Sequence, residues 1–320
     1  MNKSPEIVVI GSGIVDVLVT GVDAGVFARG STPAGAVSMQ TGGDALNEAM
    51  ILSRLGRRVR LVSRVGRDAA GDTVIGACKS DGVDISGVRI DGDVDTGVNV
   101  VLVDEKGERR FITNPSGALR KIMPEHVLEA VQQPDFSDAK IVCYASMFVH
   151  PHMVGRLSEV FAAIKAKGCI LCVDTTKPKM GETAQDMQDA LKYVDYLMPN
   201  CDEAAMITGE TDPERMADVF LACGVKNVVI KLGGRGCLVK NDHMCAFVDA
   251  VPGIRAVDTT GAGDNFAAGF INALFENRPF EECAMYANAV ASICVEHVGA
   301  ASGQRNMEEI ERRVAMIGNA

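Results

Sequence analysis

Near its carboxyl end the sequence reads Val257-Asp258-Thr259-Thr260-Gly261-Ala262-Gly263-Asp264, and the residues after it predict a helix. The apolar side chains of that helix recur at helical spacing: Phe266, Ala267, Phe270, Ile271 and Leu274. Glycines let the backbone turn tightly and expose successive N–H groups, and a helix N-terminus adds the positive end of its dipole. We therefore predict an anion-binding loop formed by the backbone of Gly261, Ala262 and Gly263.

The acidic residue at the end of this stretch, Asp264, falls in the first turn of the predicted helix. A carboxylate beside an anion site can accept a proton from an attacking hydroxyl while the N–H groups hold a transferring phosphoryl group. We expect the helix end to keep Asp264 ionised. The alternative is an ordinary first-turn aspartate, which helices favour anyway. The complete eight-residue string favours the catalytic interpretation.

The rest of the chain alternates between strand patterns and helix patterns. Apolar runs typical of buried strands occur at residues 7–10, 59–65, 141–145, 170–173, 196–198 and 228–232. Amphipathic patterns typical of helices occur at residues 45–55, 153–167 and 213–223. This alternation predicts an α/β fold with a mostly parallel sheet that is covered by helices on both faces.

Two excursions break the alternation, because each holds strand patterns with no helix between them. The first has strands at residues 15–20 and 36–40, and the second has strands at 96–104 and 108–113 around a hairpin-like turn at 105–107. We expect these four strands to pair antiparallel in a small separate sheet, which would act as a lid over the main sheet. The domains are then a core of residues 1–15, 42–95 and 117–320 and a lid of residues 16–41 and 96–116.

Composition excludes several classes of protein. The chain has 320 residues, 47% of them hydrophobic, so it can bury an ample core without disulfides. A net charge of −10 argues against sequence-independent nucleic-acid binding. The sequence shows no run of 18 apolar residues and no signal-peptide pattern, so we expect no membrane association. Ten scattered cysteines are typical of reduced thiols, and we expect a cytoplasmic protein.

Gly42 and Gly43 precede a predicted helix that carries Asn47 in its first turn. A glycine pair allows a ligand to approach the backbone closely, and an asparagine offers both a donor and an acceptor to sugar hydroxyls. A loop glycine pair with a helix cap is the alternative.

The stretch Ile10-Gly11-Ser12-Gly13 suggests a dinucleotide-binding loop. However, Asp16 stands where that motif needs a third small residue, and a strand pattern follows where it needs a helix. Asp16 at a strand end is instead suited to hold vicinal hydroxyls.

Three further stretches complete the candidate residues. Asn200 and Glu203 follow a strand and suit Mg²⁺, usually through water, although a helix cap explains them equally well. Lys231 ends a buried strand before a glycine-rich turn that lacks the P-loop motif. Cys169 and Cys172 form a C-x-x-C pattern, but their apolar surroundings favour buried strand thiols over a metal site.

In order and spacing, these stretches resemble the ribokinase-like carbohydrate kinases, also called the phosphofructokinase-B type. The matching segments are 11–16, 42–47, 65–68, 200–203, 231–236 and 258–264. The resemblance covers nearly the whole chain. It implies a Rossmann-like core with a β-sheet lid, ATP-dependent phosphorylation of a hydroxymethyl group, and Mg²⁺.

The resemblance also implies roles by position. Asp264 would be the catalytic base, and Gly261, Ala262 and Gly263 would form the anion hole. The sugar would be held by Asp16, Gly42, Gly43 and Asn47. The Mg–ATP phosphates would be served by Asn200 and Glu203, and the nucleotide would lie against Lys231, Gly233, Gly236 and Asn288. Asp258 and Thr260 match positions that often help to bind K⁺, with the rest of that site around residues 299–303.

Two departures from the family pattern affect the substrate side. Many members carry D-x-N-x-R after the strand at 170–173, whereas this chain has Asp174-Thr175-Thr176-Lys177-Pro178. Asp44 makes the site more acidic, which favours a neutral sugar, ribose- or fructose-like, or a nucleoside over a sugar acid. The alternatives are a nucleotide-dependent oxidoreductase that uses Gly11 and Gly13, and a non-catalytic binding module. The resemblance also allows a homodimer formed through the lid.

Overall fold

The structure is a computed structural model that describes residues 4–105, 108–114, 117–301 and 306–318. Its strands, in chain order, are β1 (Ile7–Ile10), β2 (Ile14–Thr20), β3 (Ala36–Gly42), β4 (Val59–Gly66), β5 (Asp84–Asp91), β6 (Val98–Val103), β7 (Arg109–Thr113), β8 (Ile141–Tyr144), β9 (Ile170–Val173), β10 (Tyr196–Leu197), β11 (Asn227–Lys231), β12 (Cys237–Asn241) and β13 (Met244–Val248). The helices are α1 (Asp44–Arg54), α2 (Ala69–Ser80), α3 (Pro124–Val131), α4 (Pro151–Val154), α5 (Leu157–Lys165), α6 (Gln188–Leu191), α7 (Cys201–Thr208), α8 (Pro213–Ala222), α9 (Ala262–Phe275), α10 (Phe280–Val295) and α11 (Met307–Ile317).

The main sheet has nine strands in the order β13-β12-β11-β10-β9-β8-β1-β4-β5. Its strands from β5 to β11 pair in parallel, and β12 and β13 add an antiparallel edge. This is the predicted α/β fold. Each of the six predicted buried strands is present. The sequence patterns missed β5, because this edge strand is only partly buried and has no continuous apolar run.

Helices cover both faces of the main sheet, as predicted. One apolar core includes Leu46 of α1, Phe270 of α9 and Val290 of α10. The core on the other face includes Phe161 of α5 and Phe220 of α8. The single helix predicted over residues 153–167 is instead two helices, α4 and α5, because the chain leaves the helical path between Val154 and Leu157.

The two excursions form a separate four-stranded sheet in the order β3-β2-β6-β7. Strands within each excursion pair antiparallel, as expected, but the two excursions meet through a parallel β2–β6 pair. The expectation of wholly antiparallel pairing was therefore wrong, because both central strands leave the core in the same direction. Residues 106 and 107 of the predicted hairpin turn lie outside the described residues.

Within the described part of the chain, no helix is both long enough and apolar enough to cross a membrane.

Candidate active site

A cavity of about 550 Å³ opens at the carboxyl ends of the parallel strands, between the main sheet and the start of α9. This edge is where open α/β sheets bind their ligands. The cavity brings together most of the predicted residues of the nucleotide and catalytic groups: Asn200, Glu203, Lys231, Gly233, Gly236, Ala262, Gly263, Asp264 and Asn288.

The loop before α9 has the conformation that an anion site needs. Gly261 is the N-cap residue with φ 73°, and a Cβ atom there would lie 2.5 Å from the Cα of Ala300, so only glycine fits. The Ala262 N–H donates to the Thr259 carbonyl at 3.2 Å. The amides of Gly263 and Asp264 follow in the first turn, where a helix supplies no carbonyl partner. The Ala262 amide thus has a partner within the loop, and the anion-binding role of Gly261, Ala262 and Gly263 stays a prediction.

Asp264 is buried at the base of the cavity, and its Oδ2 accepts a hydrogen bond of 2.7 Å from Nδ2 of Asn47. Burial raises the pKa of Asp264 to about 6, against the lowering effect of the Asn47 hydrogen bond. The helix end therefore does not set the protonation of Asp264 by itself. The carboxyl group is ionised at neutral pH, and its pKa is close to the range that suits a general base.

Lys231, at the end of β11, supplies a positive charge to the same place. Its Nζ forms an ion pair with Asp174 at 2.7 Å, and the side chains of Lys231 and Asp174 are only 11% and 7% exposed. The Nζ atom lies 3.5 Å from where a Cβ on Gly263 would be, so it borders the predicted anion site. Burial alone would lower the pKa of Lys231, but the carboxylates of Asp174 and Glu203 raise it overall. The amine therefore remains an ammonium ion.

Asp44 lines the cavity at the start of α1. Burial, and then the negative charges of Asp264 and Asp174, raise its pKa well above the ordinary value. The cavity thus holds several carboxyl groups close to the Lys231 ammonium group.

Asn200 and Glu203 form a reciprocal cap at the start of α7. Asn200 Oδ1 accepts from the Glu203 N–H at 2.9 Å, and Glu203 Oε2 accepts from the Asn200 N–H at 3.0 Å. Glu203 Oε2 also accepts a hydrogen bond from the Thr175 hydroxyl. The capping interpretation is therefore correct, and both side chains also line the cavity. Carboxylate and amide oxygens in these positions fit Mg²⁺ held through water.

The opposite wall of the cavity is apolar and is formed by Val251, Ile254 and residues of α10. Asn288 of α10 lies in this wall and donates to the Asp249 carbonyl at 3.0 Å. Gly233 and Gly236, in the turn between β11 and β12, border the same space. The shape suits a flat heterocycle between aliphatic side chains.

The residues predicted to hold the sugar lie beside the cavity rather than in its lining. Asp16 of β2 accepts a hydrogen bond of 2.9 Å from Asn99 of β6. A Cβ on Gly42 would lie 2.2 Å from Asp16 Oδ2, and one on Gly43 would lie 2.6 Å from the Ser12 carbonyl. The glycine pair therefore permits close approach of the chain's own groups, where the sequence suggested a ligand. Asn47 connects this region to Asp264.

The groups that surround the Asp258 carboxylate are hydrogen-bond donors, and they do not suit a K⁺ site. Its Oδ1 accepts from the Thr260 N–H, the Thr260 hydroxyl and the guanidinium of Arg109 at 2.5 Å. Its Oδ2 accepts from the Gly299 N–H at 3.0 Å. A positively charged side chain thus takes the place next to Asp258 that the resemblance gave to a cation. Gly303 of the predicted K⁺ site lies outside the described residues.

The glycine loop after β1 does not form a dinucleotide site. Strand β2, and not a helix, follows Gly13. A Cβ on Gly11 would lie 2.9 Å from the Cβ of Ala45, so this glycine allows α1 to pack against the loop. Cys169 and Cys172 are buried free thiols, as expected.

Sequence reasoning missed several polar residues that line the cavity, and Asp174 and Thr175 are among them. Both follow β9 directly, at the edge of the sheet where Asn200 follows β10 and Lys231 ends β11. Polar residues after successive parallel strands meet at one edge, and this signal was available in the sequence. The departure from the D-x-N-x-R pattern concerns Thr176 and Pro178, and Asp174 itself matches the pattern.

The comparisons with known proteins agree with this geometry. A family model described as pfkB family carbohydrate kinase matches residues 4–307. A ribokinase from Haemophilus influenzae is 30% identical over 275 residues, which cover 84% of this chain and 85% of that protein. A 2-dehydro-3-deoxygluconokinase from the same organism is 26% identical over 275 residues, which cover 81% of this chain and 87% of that protein.

The fold comparison gives the same result. The structure of Arabidopsis thaliana ribokinase complexed with ribose and ATP is similar with a TM-score of 0.84 at 27% identity, over 98% of this chain and 99% of that chain. The ribokinase-like fold that the sequence predicted is thereby confirmed. The chain belongs to the pfkB family of carbohydrate kinases and is a phosphotransferase with an alcohol group as acceptor.

Proposed function

We propose that this kinase transfers the γ-phosphoryl group of ATP to a hydroxymethyl group of a small neutral sugar, ribose- or fructose-like, or of a nucleoside. The observation that carries the proposal is the position of Asp264. Its carboxylate lies between Asn47, on the predicted sugar side, and the Gly263 and Lys231 groups on the predicted phosphate side.

Each of these groups has one role in the transfer. Asp264 accepts the proton of the substrate hydroxyl as that oxygen attacks the γ-phosphorus in line. Asn47 orients the carboxylate through its Nδ2 hydrogen bond. The first-turn amides of α9 and the Lys231 ammonium stabilise the negative charge on the transferring group. ADP leaves along the apolar wall that carries Asn288, which would border the adenine.

Mg²⁺ would neutralise part of the negative charge of the ATP phosphates. Glu203 and Asn200 line the cavity next to Lys231 and would hold the ion through its water ligands.

The acidity of the site supports a neutral substrate. Asp44 and Asp264 both line the cavity, with Asp264 next to Asn47, and a sugar acid would add a further carboxyl group to this cluster. The Oδ1 atom of Asn47 is buried without a hydrogen-bond partner among the described residues, so it is available to a sugar hydroxyl. Asp16, with Gly42 and Gly43 beside it, would hold vicinal hydroxyls at the far end.

The small sheet, with residues 16–41 and 96–116, is proposed to act as the lid of this site. Its large exposed apolar side chains support pairing of two copies through this sheet: Val37, Met39, Phe111 and Ile112. Sedimentation analysis of the purified chain tests the dimer.

We place the enzyme in the cytoplasm, a proposal that the ten free cysteines support.

The test is an ADP-release screen of the purified chain with Mg–ATP over neutral sugars, sugar acids and nucleosides, run in parallel with Asp264→Asn. We expect turnover with neutral hydroxymethyl compounds and almost none in the variant. Turnover confined to sugar acids would contradict the substrate proposal. Equal ADP release by the variant would contradict the role of Asp264.

A further inference from the structure

One charged contact joins the small sheet to the loop before α9. Arg109 is the first residue of β7, and its guanidinium donates to Asp258 Oδ1 at 2.5 Å. The Asp258 side chain is 6% exposed and the Arg109 side chain 28%, so the contact is largely shielded from water. The same guanidinium is close enough to lower the pKa of Asp16 on β2, although burial raises that pKa overall.

Asp258 also holds the loop together internally. Its carboxylate accepts from both the N–H and the hydroxyl of Thr260, and from the N–H of Gly299. The segment after Gly299 packs directly against Gly261, since a Cβ on Gly261 would contact Ala300. One buried carboxylate therefore fixes both sides of the turn that aims the first amides of α9 into the cavity.

A positive partner stabilises a buried carboxylate of this kind beyond the hydrogen bonds from Thr260 and Gly299. A carboxylate in a low-dielectric site is stabilised by hydrogen bonds, but an unpaired charge remains strongly unfavourable. Arg109 is the cation that the geometry provides, and arginine suits this position because its guanidinium stays charged when it is buried. It comes from the small sheet and not from the core, so among the described residues the ion pair at Asp258 depends on the position of that sheet.

We propose that Arg109 is a positioning residue that takes the place of a monovalent cation at Asp258 and couples the seating of the small sheet to the shape of the anion-binding loop. The inference rests on the proposed function for its meaning in catalysis. It has two consequences. Turnover of this kinase does not depend on K⁺, and loss of Arg109 loosens the turn at residues 260–264 without removing any group that contacts the substrate.

The chain offers a matched control for this test. Arg110 is the next residue on β7, is 67% exposed in its side chain, and makes only longer surface contacts with Asp104 and Glu108. Arg110→Ala removes the same charge from the same strand. Arg109→Lys keeps a cation at Asp258, whereas Arg109→Ala removes it.

The first measurement is hydrogen exchange at the amides of residues 260–264, which needs no substrate. We expect faster exchange in Arg109→Ala by at least about tenfold, because one partner of a buried ion pair is lost. Arg109→Lys should restore most of the protection, and Arg110→Ala should match the wild type. Unchanged exchange in Arg109→Ala, or equal changes in both alanine variants, would overturn the proposal.

The second measurement is kcat in buffers that contain either K⁺ or tetramethylammonium at equal ionic strength. Wild-type kcat should agree within about twofold between the K⁺ buffer and the tetramethylammonium buffer. Activation by K⁺ of more than about fivefold would overturn the proposal that Arg109 takes the place of a monovalent cation. If the wild type phosphorylates no substrate, the proposed function fails, while the exchange experiment still decides the role of Arg109.

Discussion

The two ends of the site hold their polar groups in different ways. At the α9 end, Asp264 and Asp174 are buried, Lys231 is largely buried, and each has a charged or amide partner within 2.8 Å. At the small-sheet end, Asp16 and Asn99 are only partly buried and share one hydrogen bond.

We interpret this difference by function: the groups at the α9 end are preorganised for phosphoryl transfer, and the groups at the small-sheet end recognise the sugar. Groups that stabilise a transferring phosphoryl group act best when they are fixed before the reaction, since they then need no reorganisation. Groups that recognise a sugar must exchange water for substrate hydroxyls, so they remain accessible. Mutations at the α9 end should therefore change chemistry and stability, whereas mutations of Asp16 or Asn99 at the small-sheet end should change sugar affinity.

The largest expected effect is on turnover in Asp264→Asn. The change removes proton acceptance and keeps the shape of the side chain, and general-base catalysis contributes about 10²–10⁴-fold. We expect kcat to fall by that factor while the Kd values of ATP and sugar stay within a few fold. Steady-state kinetics and calorimetric titration check this. A variant that retains more than about a tenth of wild-type kcat would rule out Asp264 as the base.

The next largest effect is on stability in Lys231→Met. Asp174 would keep its buried carboxylate without a cation, and breaking such a pair costs roughly 3–5 kcal/mol in the free energy of unfolding. Lys192→Ala is the control, because Lys192 and Asp189 form an exposed pair that water screens and that contributes little to stability. Urea unfolding measures both. Similar losses in the two variants would show that the α9 end is no more preorganised than the surface.

Sequence patterns predicted one of these ends much better than the other. The loop before α9 and the buried strands are contiguous in sequence, so spacing and hydrophobicity suffice to place them. The Lys231–Asp174 and Arg109–Asp258 pairs join residues 57 and 149 positions apart, and only the packed fold brings them together.

The small sheet shows the same limit. Its strands were visible as patterns, and the pairing within each excursion followed from chain proximity. The parallel β2–β6 pair depends on where both excursions leave the core, which no local pattern encodes. For the same reason the Asn47–Asp264 contact, which links the two ends, was not predicted: the resemblance gave these residues separate roles, and only the fold brings them together.

The third effect is on sugar affinity in Asp16→Ala. A charge-assisted hydrogen bond contributes roughly 1.5–3 kcal/mol, so the Kd of the sugar should rise about tenfold to a hundredfold. The Kd of ATP should not change, because Asp16 lies away from the cavity that would hold the nucleotide. Asp23→Ala is the control, since Asp23 pairs with Arg29 at the surface. Calorimetric titration that shows equal losses for both ligands would make Asp16 a structural residue of the small sheet.

The smallest expected effect is a pH dependence of activity, which follows from the raised pKa of the buried Asp264. Its pKa is raised from 3.8 to about 6, so the active ionised form is lost as pH falls through about 6. We expect kcat/KM to decrease about tenfold per pH unit below that value.

The contribution of Asp264 to stability has the opposite sign. A carboxyl whose pKa is higher in the folded state stabilises the fold fully below the unfolded pKa, and that stabilisation is lost as pH rises through about 6.

Activity and stability should therefore diverge over one pH window. Between pH of about 4 and about 6, kcat/KM of the wild type rises while the share of the unfolding free energy that comes from Asp264 falls. Asp264→Asn has no titrating group at this position, so subtracting its stability profile from that of the wild type isolates this share. Urea unfolding at several pH values, with kinetics on the same samples, measures both slopes. A difference profile that is flat over this window would mean that Asp264 keeps an ordinary pKa in the fold, and the α9 end would then be less shielded from water than its buried side chains indicate.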